Sequence, residues 1–195
     1  GLLSVNLHKT ANYPEQPVIR PPSESRSTLV RVTRGCNWNR CRFCGIYTHL
    51  GEPDYSERSL EEIAHDIGLL KQRRPHAKNI FLGDADPLNA GVELTVDVLK
   101  ILYDSFPIER VTSYARISTL KKIGQENLKA LAANGLTRIH SGLESGSDKI
   151  LRTQRKGQSA KMVVTVADWL KQAGIELSLY VLLGLGGQEH WREHM

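Results

Sequence analysis

Cys36, Cys41 and Cys44 are the only cysteines of the chain, and all fall in the stretch Arg34-Gly-Cys36-Asn-Trp-Asn-Arg-Cys41-Arg-Phe-Cys44-Gly-Ile-Tyr. An odd, tight set makes a poor disulfide framework and points to metal or redox chemistry. Thiolates are soft ligands that suit iron–sulfur clusters, and close spacing lets one loop hold three corners of a cubane. Three ligands leave one iron open to nitrogen and oxygen donors of a small molecule. With His49 the same residues form a C-x4-C-x2-C-x4-H set, which suits structural zinc. Small zinc modules are usually self-contained, whereas this loop is the first in a repeating strand–helix chain.

The elements that must position the loop are read from periodicity. Leu29 to Thr33 reads as a first strand. A helix is expected from Ser59, where Ser59 and Glu62 form a capping box and Ile63, Ile67 and Leu70 supply an apolar face. Lys78 to Gly83 reads as a second strand, and Leu94, Val98, Ile101 and Leu102 mark the next helix. Arg110 to Arg116 is a third strand. Gln125 to Asn134 is helical and ends at Gly135. Thr137 to Leu143 is a fourth strand, Ser159 to Ala173 a helix ended by Gly174, and Ile175 to Leu183 a fifth strand. Such alternation predicts an α/β fold with a parallel sheet, and ligands gather at the C-terminal ends of its strands. The expected architecture is a partial (β/α) TIM-like barrel with about five parallel strands, its closing elements lying beyond this chain or in a partner. Residues 1–28, with Pro14, Pro17, Pro21 and Pro22, read as an extended arm. Residues 29–195 read as the core domain.

Composition sets the outer limits. The chain has 195 residues, 40% hydrophobic and 24% charged, with a net charge of +5. That is ordinary for a globular protein. There is no apolar run of about 18 residues, so no membrane span is expected, and Gly1 to Thr10 lacks the features of a secretory signal. A cytoplasmic location is the default expectation. The mild basic excess is a weak pointer towards RNA.

The remaining residues able to do chemistry sit at the other strand ends. The second strand runs into Gly83-Asp84-Ala85-Asp86-Pro87. Gly83 permits close backbone approach and Pro87 stiffens the turn; read alone, this is an acidic turn. Arg116, at the end of the third strand, suits a carboxylate partner or a local surface acid. After the fourth strand, the carboxylate of Glu144 can accept two hydroxyl hydrogens or suit a helix N-terminus. Lys156 can offset a carboxylate or sit solvated at a helix end. The fifth strand leaves through Gly184, Gly186 and Gly187, without the spacing of a dinucleotide site. His190 and His194 read as surface residues.

Taken together, residues 29–187 resemble the radical S-adenosylmethionine (radical SAM) superfamily, in its coproporphyrinogen-oxidising, methylthiotransferase and elongator-type branch. The usual loop there is C-x3-C-x2-C with an aromatic residue before the last cysteine. Here the spacing is C-x4-C-x2-C, a departure, with Phe43 in the aromatic place. The resemblance implies a [4Fe–4S] cluster on Cys36, Cys41 and Cys44, and S-adenosylmethionine on its open iron. It implies cofactor contacts from Gly83, Asp84, Ala85 and Asp86, which stand where the family has a Gly-Gly-Glu-Pro-like turn. It further implies Arg116, Glu144 towards the ribose, Lys156 towards the methionine carboxylate, and Gly184 near the adenine. The implied activity is that of an oxidoreductase or transferase acting through a 5′-deoxyadenosyl radical. A flavodoxin- or ferredoxin-like one-electron reductant is the implied partner. The substrate is not named by the sequence; a tRNA base, a tetrapyrrole and a peptide are all compatible. Two other readings stand beside this one: a zinc-bound Cys3His RNA-binding module, and a degenerate radical SAM scaffold that binds a cluster without cleaving the cofactor.

Overall fold

The computed structural model describes residues 12–51 and 54–194. Its elements follow the order β1 (Thr28–Arg31), β2 (Thr33–Arg34), α1 (Ile46–His49), β3 (Ser56–Glu57), α2 (Leu60–Arg73), β4 (Asn79–Gly83) and α3 (Val92–Ser105). They continue with β5 (Arg110–Tyr114), α4 (Ile117–Ile123), α5 (Gln125–Ala133), β6 (Arg138–Glu144), α6 (Asp148–Thr153), α7 (Ala160–Ala173) and β7 (Glu176–Val181). Short 3-10 turns occupy Pro22–Glu24 and Pro87–Ala90.

Five strands form one sheet in the order β1-β4-β5-β6-β7, every neighbouring pair parallel. The sheet does not close: among the described residues β1 and β7 remain its edges. The expected first strand is split. Thr28–Arg31 pairs with β4, whereas Thr33–Arg34 leaves the sheet and pairs antiparallel with Ser56–Glu57, so the hairpin that follows encloses the whole cysteine loop.

Alternation along the strands sorts their residues onto two faces. Val30, Val32, Ile80, Leu82, Val111 and Ile139 pack into the main core with Ile63, Ile67 and Leu70 of α2, Val98, Leu99 and Leu102 of α3, Leu128 and Leu131 of α5, and Val163, Val166 and Leu170 of α7. The helices keep that core at their apolar stripes because their ends are fixed locally. Ser59 and Glu62 make both arms of the capping box of α2, Ser159 caps α7, and Gly174 ends it in the left-handed region at φ 76°. The opposite face carries a row of rings, Phe81, Tyr114, His140 and Tyr180, one from each of β4 to β7, with centroids 5.0 to 6.2 Å apart.

The described part of the arm carries the 3-10 turn Pro22–Glu24 and lies against the core. Pro17 lies against Gly83 so closely that a Cβ there would come within 2.6 Å of it. Glu24 is completely buried.

Candidate functional site

The cysteine loop leaves the sheet after β1, at the C-terminal ends of the parallel strands, and is clamped by a segment that follows β6. The Trp38 indole N–H donates to the Arg155 carbonyl at 2.7 Å, and the Arg42 amide donates to the Gln154 carbonyl at 3.0 Å. Trp38 also packs against Gly157, whose φ of 76° suits glycine; a Cβ there would stand 2.7 Å from the indole. Arg116 lies over the other part of this clamp, with its guanidinium 4.6 Å from the Trp38 ring centre and donating to the Lys156 carbonyl at 2.7 Å.

These contacts bring Cys36, Cys41 and Cys44 onto one cavity of about 190 Å³, whose walls also include Ala85, Arg116, Gly142 and Lys156. Burial pushes the Cys41 thiol up, and the positive charges of Lys156 and Arg116 pull it down. Lys156 pairs with Glu144 at 3.0 Å, and its ammonium stands 5.6 Å from the centre of the Phe43 ring. Gly142 makes room for this pair, since a Cβ on it would fall 1.9 Å from a Glu144 carboxylate oxygen and 2.7 Å from Lys156 Nζ.

The expected site residues therefore divide into groups. The three cysteines, Ala85, Arg116 and Lys156 share the cavity, with Phe43 and Glu144 beside Lys156. Asp84 is fully buried and its carboxylate turns to the protein, where it accepts from the Arg31 guanidinium, the Val18 amide at 2.8 Å and the Gly35 amide at 3.0 Å. Burial raises its pKa against those donors. Its placement anchors the residue before Cys36. Asp86 is also buried, accepting from the Arg116 amide at 3.1 Å and from the Thr119 hydroxyl; burial pushes it up to about 6, opposed by those two donors. Gly83 packs against the arm, and Gly184 lies in the exposed turn after β7, outside the cavity walls. His194 corrects an expectation: it is 6% exposed, with Nδ1 2.9 Å from the Ser145 hydroxyl.

Several wall residues carried no signal that the cysteine spacing would reveal. Tyr47 and Ser141 line the cavity, and both hydroxyls are buried without a hydrogen-bond partner. Such orphans are costly unless a ligand answers them. Ile19 reaches the cavity from the arm and His140 from β6. Trp38 and Tyr47 could have been found from their closeness to the cysteines, and Gly142 from its place two residues before Glu144; Ile19 had no such marker.

The donor set fits a cluster better than a single zinc ion. Three soft thiols face one cavity, which is the donor type that iron–sulfur clusters take. His49 does not join them; its Nδ1 lies 2.6 Å from the Gly45 carbonyl. The unpartnered hydroxyls, the two cations and the space over Gly142 suit a polar, carboxylate-bearing cofactor beside the cluster.

The comparisons with known proteins agree with this geometry. A family described as the radical SAM superfamily matches residues 30–195. The heme chaperone HemW of Bacillus subtilis (strain 168) is 24% identical over 156 residues, covering 76% of this chain and 40% of the relative. A tRNA-2-methylthio-N(6)-dimethylallyladenosine synthase of Christiangramia forsetii is 27% identical over 191 residues, covering 87% of this chain and 38% of the relative. The chain thus spans about two fifths of the length of these two relatives. Among solved structures, the cobalamin-dependent radical enzyme OxsB with aqua-cobalamin and S-adenosylmethionine bound superposes with a TM-score of 0.68 at 19% identity, over 86% of this chain and 26% of that one. Methylornithine synthase (PylB) gives 0.62 at 20% identity, over 86% and 48%. A cysteine loop at the strand ends, clamped beneath two cations and set on an unclosed parallel barrel, is accounted for by one conclusion: the chain belongs to the radical SAM superfamily.

Proposed function

We propose that this chain is the catalytic core of a radical SAM enzyme, in which Cys36, Cys41 and Cys44 hold a [4Fe–4S] cluster and the adjoining cavity holds S-adenosylmethionine. The observation that carries the reading is the convergence of three thiols, two cations and two unpartnered hydroxyls on one cavity at the C-terminal ends of the strands. Held by Cys36, Cys41 and Cys44, a reduced cluster would supply the electron for reductive cleavage of the cofactor to methionine and a 5′-deoxyadenosyl radical, which would take hydrogen from a substrate.

The chain's own residues bind, orient and exclude water. Lys156 offsets the methionine carboxylate, and Glu144 is placed to accept hydroxyl hydrogens of the ribose once the two exchange their mutual pairing for the ligand. Arg116 keeps positive charge beside the thiolates. Tyr47 and Ser141 offer the unanswered hydroxyls. Trp38 and Phe43 cover the loop, so the chemistry proceeds away from bulk water. The reductant is of the flavodoxin or ferredoxin class. Among substrates, an RNA base is one candidate, in keeping with the methylthiolating relative, and the protein acts in the cytoplasm.

Anaerobic reconstitution followed by electron paramagnetic resonance tests this directly. The expected result is a [4Fe–4S]⁺ signal that changes when S-adenosylmethionine is added and disappears in the Cys36→Ala, Cys41→Ala, Cys44→Ala triple variant. Stoichiometric zinc without iron would replace this reading with the zinc-module one. A cluster signal indifferent to the cofactor would replace it with a non-catalytic scaffold.

A further inference from the structure

A chain of three titratable side chains lies inside the barrel, and the function proposed above makes no use of it. Glu24 comes from the 3-10 turn of the arm, His140 from β6 and Tyr180 from β7. His140 Nε2 is 3.2 Å from a Glu24 carboxylate oxygen, and His140 Nδ1 is 2.9 Å from the Tyr180 hydroxyl. Glu24 is fully buried and His140 is 2% exposed. The imidazole stacks against the phenol ring with centroids 5.7 Å apart. It also forms part of the wall of the cavity that holds the three cysteines.

The carboxylate orients the imidazole. Burial pushes Glu24 up, but hydrogen bonds from His140 and Ser27 and the charge of Arg110 outweigh it and hold the group down to about 2. An ionised carboxylate only accepts. Nε2 faces that acceptor as a donor, and Nδ1 is the nitrogen turned to the Tyr180 hydroxyl. Arg110 and Arg138 face the same carboxylate at 3.5 and 3.7 Å, and Tyr114 is the other titratable group against the imidazole. A hydroxyl, a base within reach and a third group that orients the base is the arrangement that activates hydroxyls in unrelated enzymes. Mutual satisfaction of a buried acid and a histidine accounts for Glu24 and His140. It does not account for the third member, a phenol that is only half-buried.

We propose that Glu24, His140 and Tyr180 form a proton relay, with the Tyr180 hydroxyl exchanging a proton with an alcohol- or amine-bearing substrate held in the barrel interior. This rests on the radical reading, because a carbon that has lost a hydrogen atom makes the O–H or N–H it bears more acidic. The substrate proton moves to the Tyr180 oxygen as the Tyr180 proton moves to His140 Nδ1. Two bonds to hydrogen break and two form. The unpaired electron stays on the substrate, the imidazolium faces the Glu24 carboxylate, and no oxidant or reductant is consumed. Reversal returns the proton to the product.

The test needs no substrate. The reconstituted protein is treated with N-acetylimidazole, and acetylation of each tyrosine is timed by peptide mass spectrometry, with Tyr13, 74% exposed, as the internal reference. Burial raises the Tyr180 phenol above its usual range, with the Glu24 charge adding to it, so without a base beside it Tyr180 reacts more slowly than Tyr13. General-base help is worth roughly 10²–10⁴-fold, so the relay predicts Tyr180 reacting about tenfold or more faster than Tyr13. That excess should vanish in Glu24→Gln, which removes the ionised acceptor. Slower reaction of Tyr180 than of Tyr13 in the unsubstituted protein overturns the relay, and this comparison does not depend on any variant folding. An excess that survives in a folded Glu24→Gln protein also overturns it. Failure of the radical reading shows elsewhere, as iron or resonance signals that do not respond to S-adenosylmethionine, and leaves the acetylation rates unaffected.

Discussion

Lys156 meets Glu144, the Phe43 ring and the shared cavity at once, so on the proposed function its substitution would separate cofactor binding from cluster binding. Lys156→Met should weaken S-adenosylmethionine binding by about tenfold, the order expected for one charge-assisted hydrogen bond. Calorimetric titration of the reconstituted protein checks this, with iron content unchanged. Gly142→Ala acts on the same pair from beneath. Its Cβ would meet only the far ends of Glu144 and Lys156, which can swing aside, so the fold should survive while cofactor affinity falls. Comparable melting curves alongside a several-fold rise in Kd would bear this out. Residues of this kind were legible where a strand end and a chemical type coincided, as for the cysteines, Arg116 and Glu144, and Lys156 was legible from its place after the helix that follows the fourth strand. Asp84 was legible as a strand-end acid but not as an anchor, because its partners Val18 and Arg31 come from 66 and 53 residues away. His140 gave no sign, being a lone ring inside the fourth strand with no spacing to mark it.

At the scale of elements, the alternation of strand and helix was readable because each helix carries its own caps and apolar stripe. The split of the first strand was not, since nothing in Val32-Thr33-Arg34 marks where pairing changes partner. The arm was harder still: its prolines suppress any periodicity, yet Glu15 receives Arg34 at 2.7 Å and Arg31 at 2.8 Å. Burial raises Glu15, and the three arginines around it, Arg34, Arg58 and Arg31, outweigh that and hold it down. The clamp on the cysteine loop depends on one backbone conformation at Gly157. Gly157→Ala combines a positive φ with a Cβ against Trp38 and should cost about 2 kcal/mol of stability, measured as a lower urea midpoint with an unchanged slope.

Across the whole molecule, two buried carboxylates give stability opposite dependences on pH. Glu24 has a folded value of about 2 against an ordinary 4.5, so its contribution is fully present above the ordinary value and is lost as pH falls through that window. Asp86 is raised to about 6 from 3.8; its ionisation opposes folding, and stability declines as pH rises across that interval. Urea midpoints measured between about pH 2 and about pH 7 should therefore lose their acid limb in Glu24→Gln and their decline towards neutrality in Asp86→Asn. The unclosed parallel sheet was itself legible, because five strand–helix repeats do not bring a strand back to β1.

The clamp on the cysteine loop also sets an order of events during synthesis. Trp38 is held by a carbonyl 117 residues further along the chain. At roughly 5–20 residues per second the ribosome needs on the order of 6 to 23 s to deliver that partner after the cysteines have emerged. Through that interval the three thiols are translated but unpositioned, open to oxidation or to the wrong metal. On the function proposed above, loading with iron and sulfide would therefore be a late step, and whatever delivers the cluster would act after the fourth strand has paired or protect the nascent loop until it does.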